Sequence, residues 1–196
     1  MKRLRRQFSR QIDKQIEQDL EALLKRLKFI DEIGANLGLT RLYGRAAPGE
    51  RVIEATPGHS GAHYTIVAAL GYRGVKAPWV LDGAMDAAAF ETYVKHVLAP
   101  TLRADDIVLM DNLSAHKGQP VRELIEARGA RVQFLPPYSP DFNPIEECWS
   151  KIKTILRTVK ARTLDELIPA LKLALASITE SDALAWFAHC GYPVNS

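Results

Sequence analysis

Residues 107–116 read Ile107-Val-Leu-Met-Asp111-Asn112-Leu-Ser-Ala-His116, and residues 136–149 read Pro136-Pro-Tyr-Ser-Pro-Asp-Phe-Asn143-Pro-Ile-Glu146-Glu-Cys-Trp149. In the first segment an apolar run ends in an acid, which is typical of a buried strand that delivers a carboxylate to a sheet edge. In the second segment a proline-stiffened loop ends in Asn143 followed by proline, which favours a helix start. The pattern predicts a helix from residue 144, with Glu146 in its first turn.

A third acid follows the same pattern, because the apolar run Leu27-Lys-Phe-Ile precedes Asp31-Glu32. The 34 residues between Asp111 and Glu146 leave room for one helix, one strand and a loop, so the two carboxylates can converge in space. Three carboxylates at two strand ends and a helix start suit a hard divalent cation with oxygen ligands, commonly Mg²⁺. We therefore expect a metal site.

These three segments resemble the motifs of the DDE transposases in the bacterial insertion-sequence branch of the mariner superfamily, which share the 34-residue Asp-to-Glu interval. The resemblance covers residues 27–190 and implies a transposase catalytic domain with the ribonuclease H-like fold of the retroviral integrase superfamily. It also implies that Asp31, Asp111 and Glu146 are catalytic and hold two Mg²⁺ ions, with Mn²⁺ as a substitute. By the same analogy, Asp31 bridges the ions.

Two of these assignments have alternatives: another ligand in place of Asp31, and another role for Asp111. Strand alternation points Asp31 and Glu32 to opposite faces, and the motif match favours Asp31 as the ligand. Asp111 has the alternative role of capping the turn that it makes with Asn112.

Glu146 also has a structural alternative. It stands at the third helical position after Asn143, where an acid commonly completes a capping box and favours the helix dipole. Position alone favours this capping role, and only the motif and its spacing favour catalysis. Glu147 is the alternative ligand.

Four residues are candidates for contact with DNA. His116 follows Asp111 by five residues, and the resembling family has a histidine there. We therefore expect His116 to contact a phosphate or to contact a metal ligand and support the metal site in that way. The other three share the helix face of Glu146 and could meet phosphates there: Ser150, Lys153 and Arg157. Trp149 lies on the opposite, apolar face of that helix, so it is predicted to belong to the core.

The composition is that of a single globular domain, with 47% hydrophobic and 25% charged residues in 196. The net charge of +3 is concentrated in residues 2–10 and 151–162, a distribution that fits double-stranded DNA as well as a solvated surface. Cys148 and Cys190 form no metal or disulfide pattern. No apolar run reaches the roughly 18 residues of a membrane span. We expect a cytoplasmic, nucleoid-associated protein with no membrane partner.

The order of elements indicates an α/β protein. Strands are predicted at residues 28–33, 39–43, 63–72, 77–81, 107–111 and 131–135. Helices are predicted at residues 9–28, 86–102, 120–128, 164–178 and 183–190, besides the one from residue 144. The resemblance implies that these elements form a ribonuclease H-like mixed sheet flanked by helices, with an N-terminal amphipathic helix. We divide the chain into a basic helical extension (1–26) and a DDE catalytic domain (27–196).

The predicted function is metal-dependent DNA strand cleavage and strand transfer at insertion-sequence ends. Two alternatives stay open: a ribonuclease H-like nuclease that only hydrolyses, and a truncated, non-catalytic DNA-binding regulator of transposition. Full-length relatives carry helix-turn-helix modules before the catalytic domain, so residues 1–26 are expected to be the remnant of a linker. The expected partners are duplex DNA, a second copy of the chain in the active complex, and a separate helix-turn-helix polypeptide.

Overall fold

The computed structural model describes residues 2–16, 20–192 and 194, and for residues 13–16 and 20 it describes the backbone only. The helices are α1 (Lys2–Ile16), α2 (Leu20–Arg26), α3 (Ala87–Tyr93), α4 (Gln119–Glu126), α5 (Pro144–Val159), α6 (Leu164–Ala176) and α7 (Glu180–His189). The strands are β1 (Leu27–Asn36), β2 (His63–Gly71), β3 (Gly74–Asp82), β4 (Ile107–Met110) and β5 (Arg131–Phe134). After α3 the chain continues through a π-helical turn, Val94–Leu98, and a 3₁₀ turn, Ala99–Thr101.

The five strands form one mixed sheet in the order β3-β2-β1-β4-β5. The first three strands pair antiparallel, whereas β4 runs parallel to β1 and β5 runs parallel to β4. Phe29 of β1 pairs with Leu109 of β4, so the residues two positions further along, Asp31 and Asp111, lie at the same edge of the sheet. The predicted mixed sheet flanked by helices is confirmed.

Helices cover both faces of the sheet because alternate strand residues are apolar on each side. One face packs on α5, α6 and α7, with Phe29, Trp149 and Phe187 each at most 1% exposed. The other face packs on α3, the π-helical turn and α4, with Phe90 and Tyr93 fully buried. Trp149 therefore belongs to the core, as the apolar spacing of α5 predicted.

Two predictions about elements need correction. The strand predicted at residues 39–43 is absent, and Leu42 and Tyr43 are 64% and 89% exposed. The reason is that β2 and β4 already occupy both edges of β1, so the segment that leaves β1 has no free edge beside it. The single helix predicted over residues 9–28 is instead α1 and α2, with β1 beginning at Leu27.

The N-terminal helices contact the catalytic part of the fold. Phe8 and Ile12 of α1 and Leu23 and Leu24 of α2 are buried in the same core as α5. Of the predicted apolar stripe, the side chains of residues 16 and 20 lie outside the described part of the structure. The division of the chain at residue 26 stays a prediction. None of the helices that the structure describes is long and apolar enough to cross a membrane.

The packing of α5 on the sheet predicts the effect of a core truncation. Ile152→Ala should lower the free energy of unfolding by about 2–5 kcal/mol, because Ile152 is fully buried between α5 and the sheet. Thr154→Ala, on the exposed side of the same helix, should change it by less than about 0.5 kcal/mol. Urea unfolding of both variants measures the difference. Equal losses would contradict the assigned orientation of α5.

Candidate active site

A cavity of about 460 Å³ opens at the edge of the sheet where β4 and β5 end, beside the middle of β1. Its lining includes all three predicted acids, Asp31, Asp111 and Glu146, together with the loop of residues 135–140 and Asn143. Asp31 comes from within β1, Asp111 directly follows β4, and Glu146 lies in the first turn of α5. The fold thus brings together residues that are 115 positions apart in the sequence.

Asp31 is the most buried of the three acids, with 9% of its surface exposed. The backbone N–H of Glu32 donates to its Oδ1 at 2.8 Å, and Asn143 Nδ2 lies 3.5 Å from its Oδ2. Burial raises the pKa of Asp31 to about 7, and the negative charges of Glu146, Glu32 and Asp111 add to this effect. Negative charge is therefore concentrated, and poorly compensated, around Asp31.

Asp111 is held by the chain that follows it. Its Oδ1 accepts a hydrogen bond from the backbone N–H of Leu113 at 3.0 Å and lies 2.7 Å from Nδ1 of His116. Burial alone would raise the pKa of Asp111, but the hydrogen bond from His116, the Leu113 N–H and nearby positive charge lower it below its ordinary value. The carboxylate that faces the cavity is thus ionised and oriented.

His116 does not have the exposed position that a DNA contact would need. It is 1% exposed, and its ring lies 4.2 Å from the ring of Phe90, centroid to centroid. Its Nδ1 faces Asp111, and its Nε2 is 3.3 Å from Glu32 Oε2, close enough for an ion pair but not aligned as a hydrogen bond. Both ring nitrogens face carboxylates, which favours the supporting role beside the metal site over the phosphate contact, and the role of His116 stays a prediction.

The charge of His116 follows from these neighbours. Burial lowers its pKa, but the carboxylates of Asp111 and Glu32 outweigh burial and raise the pKa to about 9. Glu32 points to the face of β1 opposite Asp31, as strand alternation predicted, and its side chain is 18% exposed. Sequence reasoning missed its role as the second carboxylate on His116, although its place beside Asp31 on a buried strand was a signal.

The start of α5 differs from the prediction in one respect. The helix begins at Pro144 after Asn143, as expected, but the Asn143 side chain makes no cap hydrogen bond. It is 5% exposed and turned toward Asp31, with its Oδ1 buried and unpaired among the described residues. The capping box, which was the alternative role of Glu146, is therefore absent. Glu146 is left exposed at the cavity, which is consistent with the catalytic role that the motif predicts.

The remaining predicted residues lie further along α5. Ser150 is exposed, and Lys153 and Arg157 are half-buried and form no ion pair with any acid in the described part of the chain. None of the three lines the acidic cavity. Glu147 points elsewhere, with its Oε1 3.7 Å from His189 Nε2.

The loop between β5 and α5 fixes the far wall of the cavity. Asn112 donates from Nδ2 to the backbone oxygen of Leu135, which joins the residue after Asp111 to the end of β5. Tyr138 has a φ of 53° and is 87% exposed, so its ring stands outside the wall rather than in the core. The loop therefore positions α5, and with it Glu146, relative to β4.

The donor set fits a hard divalent cation, since three carboxylate residues and two asparagines line one cavity. The three carboxylates do not converge tightly enough to hold an ion as they stand. Among residues 2–16, 20–192 and 194, no group of three His, Cys, Asp or Glu side chains is placed to do so. The raised pKa of Asp31 is the observation that favours a cation, because positive charge there would offset the repulsion between carboxylates.

Comparison with known proteins agrees with this geometry. Residues 26–168 match the family model described as DDE superfamily endonuclease. The chain is 28% identical over 100 residues to the transposable element Tcb1 transposase of Caenorhabditis briggsae, and the match covers 49% of this chain and 37% of that protein. The chain thus spans only part of the length of this relative.

Two solved structures share the fold. The catalytic domain of Mos1 mariner transposase superposes with a TM-score of 0.69 at 14% identity, covering 98% of this chain and 94% of that one. The mariner Mos1 paired end complex with Mg superposes with a TM-score of 0.71 at 16% identity, covering 96% of this chain and 59% of that one. At these identities the likeness shows the fold alone, and it confirms the ribonuclease H-like architecture.

The crowding of negative charge predicts a pH-dependent stability. Because the pKa of Asp31 is raised from 3.8 to about 7, the folded protein holds a proton there that the unfolded chain has lost, so stability should fall between pH 4 and 7. Without divalent cations, Asp31→Asn should raise the free energy of unfolding at about pH 8, by at most about 4 kcal/mol. Urea unfolding at about pH 5 and pH 8 with chelator measures it.

The control for this prediction is Glu147→Gln, which removes an exposed carboxylate outside the cavity and should leave the pH slope unchanged. Loss of stability in Asp31→Asn at the higher pH would show that the carboxylates do not repel one another.

Proposed function

The chain belongs to the DDE superfamily of endonucleases, and from this premise we propose that it is the catalytic domain of a mariner-type transposase from the bacterial insertion-sequence branch. Its reaction is cleavage of a DNA phosphodiester at an element end, followed by transfer of the 3′ end to a target phosphodiester. The observation that carries the proposal is the convergence of Asp31, Asp111 and Glu146 on one cavity.

The proposed cofactor is a pair of Mg²⁺ ions, with Mn²⁺ as a substitute. Bound there, the ions would activate the attacking oxygen and stabilise the leaving oxygen. Asp31 is the proposed bridging ligand because it is the central and most buried acid. Asp111 and Glu146 are the proposed outer ligands, and the exposed Glu146 side chain is free to rotate toward the other two.

Two neighbouring side chains, His116 and Asn143, orient these acids. His116 orients Asp111 through its Nδ1 and is itself held between Glu32 and Phe90. Asn143 lies beside Asp31 Oδ2 and restricts its rotation. Metal ligands fixed by such neighbours lose less entropy on binding, and removal of a supporting partner commonly weakens metal affinity or activity by about 10–100-fold.

Duplex DNA is the proposed substrate. Ser150, Lys153 and Arg157 lie on the helix that carries Glu146, and their polar groups suit phosphate contacts that position a strand without reading its sequence. We further propose that residues 27–196 form the catalytic domain and residues 1–26 an extension toward a DNA-binding region. A homodimer is the proposed active complex, with a helix-turn-helix polypeptide as partner and the nucleoid as the place of action.

Two alternative functions differ in what they need from this site. A nuclease that only hydrolyses would need the same three acids, and it differs from a transposase in leaving no strand-transfer product. A non-catalytic regulator would bind DNA without needing the acids. The burial of Asp31 and the fixed orientation of Asp111 favour an active site over a remnant.

Substitution of the acids tests the proposal. Asp31→Asn, Asp111→Asn and Glu146→Gln should each lower Mg²⁺-dependent nicking of an element-end duplex by at least about 10³-fold, since each swap keeps volume and removes a charged ligand. Gel analysis of a labelled duplex with Mg²⁺, Mn²⁺ or chelator measures both nicking and strand transfer.

Glu147→Gln is the matched control, because it makes the same chemical change one residue along α5 and should retain activity. Nicking that survives chelation, or that survives all three substitutions, would refute the metal site. Nicking without any strand-transfer product would favour the hydrolytic nuclease.

A further inference from the structure

A second cavity, of about 600 Å³, lies at the edge of the sheet opposite the acidic cavity. It forms where β1 and β4 begin and where the turn between β2 and β3 reverses the chain. Its charged lining residues are Lys25, Lys28, Arg73, Lys76, Arg103 and Asp106. Five cations against one acid make this basic cavity the counterpart of the acidic one.

The single acid is already neutralised inside the fold. Asp106 is 4% exposed; its Oδ1 accepts a hydrogen bond from Lys28 Nζ at 3.0 Å and its Oδ2 accepts the backbone N–H of Arg103 at 2.9 Å. Lys25 pairs with Glu21 on its own helix. Asp105 precedes Asp106 in the sequence but does not line the cavity. Among the residues that the structure describes, no further acid lines this cavity to balance the other cations.

Three cations remain available to a ligand. Arg73, Lys76 and Arg103 are exposed, and none of them forms an ion pair with an acid that the structure describes. The Arg73 guanidinium lies 5.2 Å from the centre of the Tyr72 ring, a contact that limits its orientation. The pKa of Lys28 is below its ordinary value, first because of burial and also because of the charge of Arg103.

We propose that this basic cavity binds the phosphodiester backbone of duplex DNA, at a site separate from the active site. The inference rests on the proposed function, which supplies DNA as the polyanion. A single phosphate group would be held best by buried donors that converge on one point. Exposed cations on two segments, the β2–β3 turn region and the loop before β4, suit instead the repeated charges of a backbone.

The DNA segment bound at the basic cavity would not contain the phosphodiester that is cut. Asp106 and Asp111 flank β4 and are five residues apart, which corresponds to roughly 17 Å along a strand. That separation equals the rise of about five base pairs of duplex, so the basic cavity would hold flanking DNA. It would add affinity and salt dependence without adding sequence specificity.

A triple substitution tests the inference: Arg73→Gln, Lys76→Gln and Arg103→Gln together in the 196-residue chain. Fluorescence anisotropy with a labelled duplex of about 30 base pairs, in chelator and at about 50, 100 and 200 mM salt, gives the affinity and its salt slope. The slope of log affinity against log salt should shrink by about 2–3, and the affinity at the lowest salt should fall by at least about tenfold.

The matched control is Lys95→Gln, Arg128→Gln and Lys172→Gln, three exposed cations that line none of the cavities described above and that give the same change in net charge. Equal effects of the two triple variants would overturn the inference, since net charge alone would then explain the loss. If the first variant proved unstable by circular dichroism, the pair Arg73→Gln and Lys76→Gln would replace it, with an expected slope change of about 2.

A titration with pyrophosphate distinguishes a small phosphate ligand from a DNA backbone. Tight pyrophosphate binding that the triple substitution abolishes, with duplex affinity unchanged, would overturn the inference in favour of a small ligand. The outcome is independent of the active-site test. Loss of duplex binding in the triple variant would support the basic site even if the wild-type chain failed to nick DNA. Conversely, normal nicking by the wild-type chain would not support the basic site if the triple substitution left duplex binding unchanged.

Discussion

Parallel pairing of β1 with β4 determines where the acids of the candidate active site lie. The register that places Phe29 opposite Leu109 also places Asp31 and Asp111 at one edge of the sheet. A shift of one residue would turn either acid to the other face, because side chains alternate along a strand. The burial of both strands between two layers of helices fixes that register, so the apolar core indirectly positions the candidate active site.

The carboxylates of the site repel one another, and the stability of the apolar core must offset this repulsion. Three carboxylates share a cavity, and the most buried of them has a pKa near neutrality. His116 compensates for part of this charge, but it lies behind Asp111 and pairs with Glu32, so it leaves Asp31 and Glu146 uncompensated. Such arrangements persist in proteins where function needs them. The opposite edge of the sheet carries the opposite charge, which gives the domain an acidic end and a basic end.

Sequence reasoning predicted the features that follow from local patterns. Apolar runs that end in acids placed Asp31 and Asp111, and the Asn-Pro step placed the start of α5. It failed where tertiary contacts decide. Asn143 turns its side chain away from the helix end toward Asp31, and residues 39–43 find no free strand edge. The basic cavity also escaped prediction, because its cations come from segments far apart in the sequence.

The acids that line the acidic cavity are proposed to form a binding site for divalent cations. Anomalous scattering from crystals soaked in Mn²⁺ tests this proposal, because the peak locates the ion without reference to activity. We predict Mn²⁺ between Asp31 and Asp111, with Glu146 turned toward it. Mn²⁺ bound only elsewhere, for example by Glu147 and His189 on the outer side of α5, would contradict the proposed site.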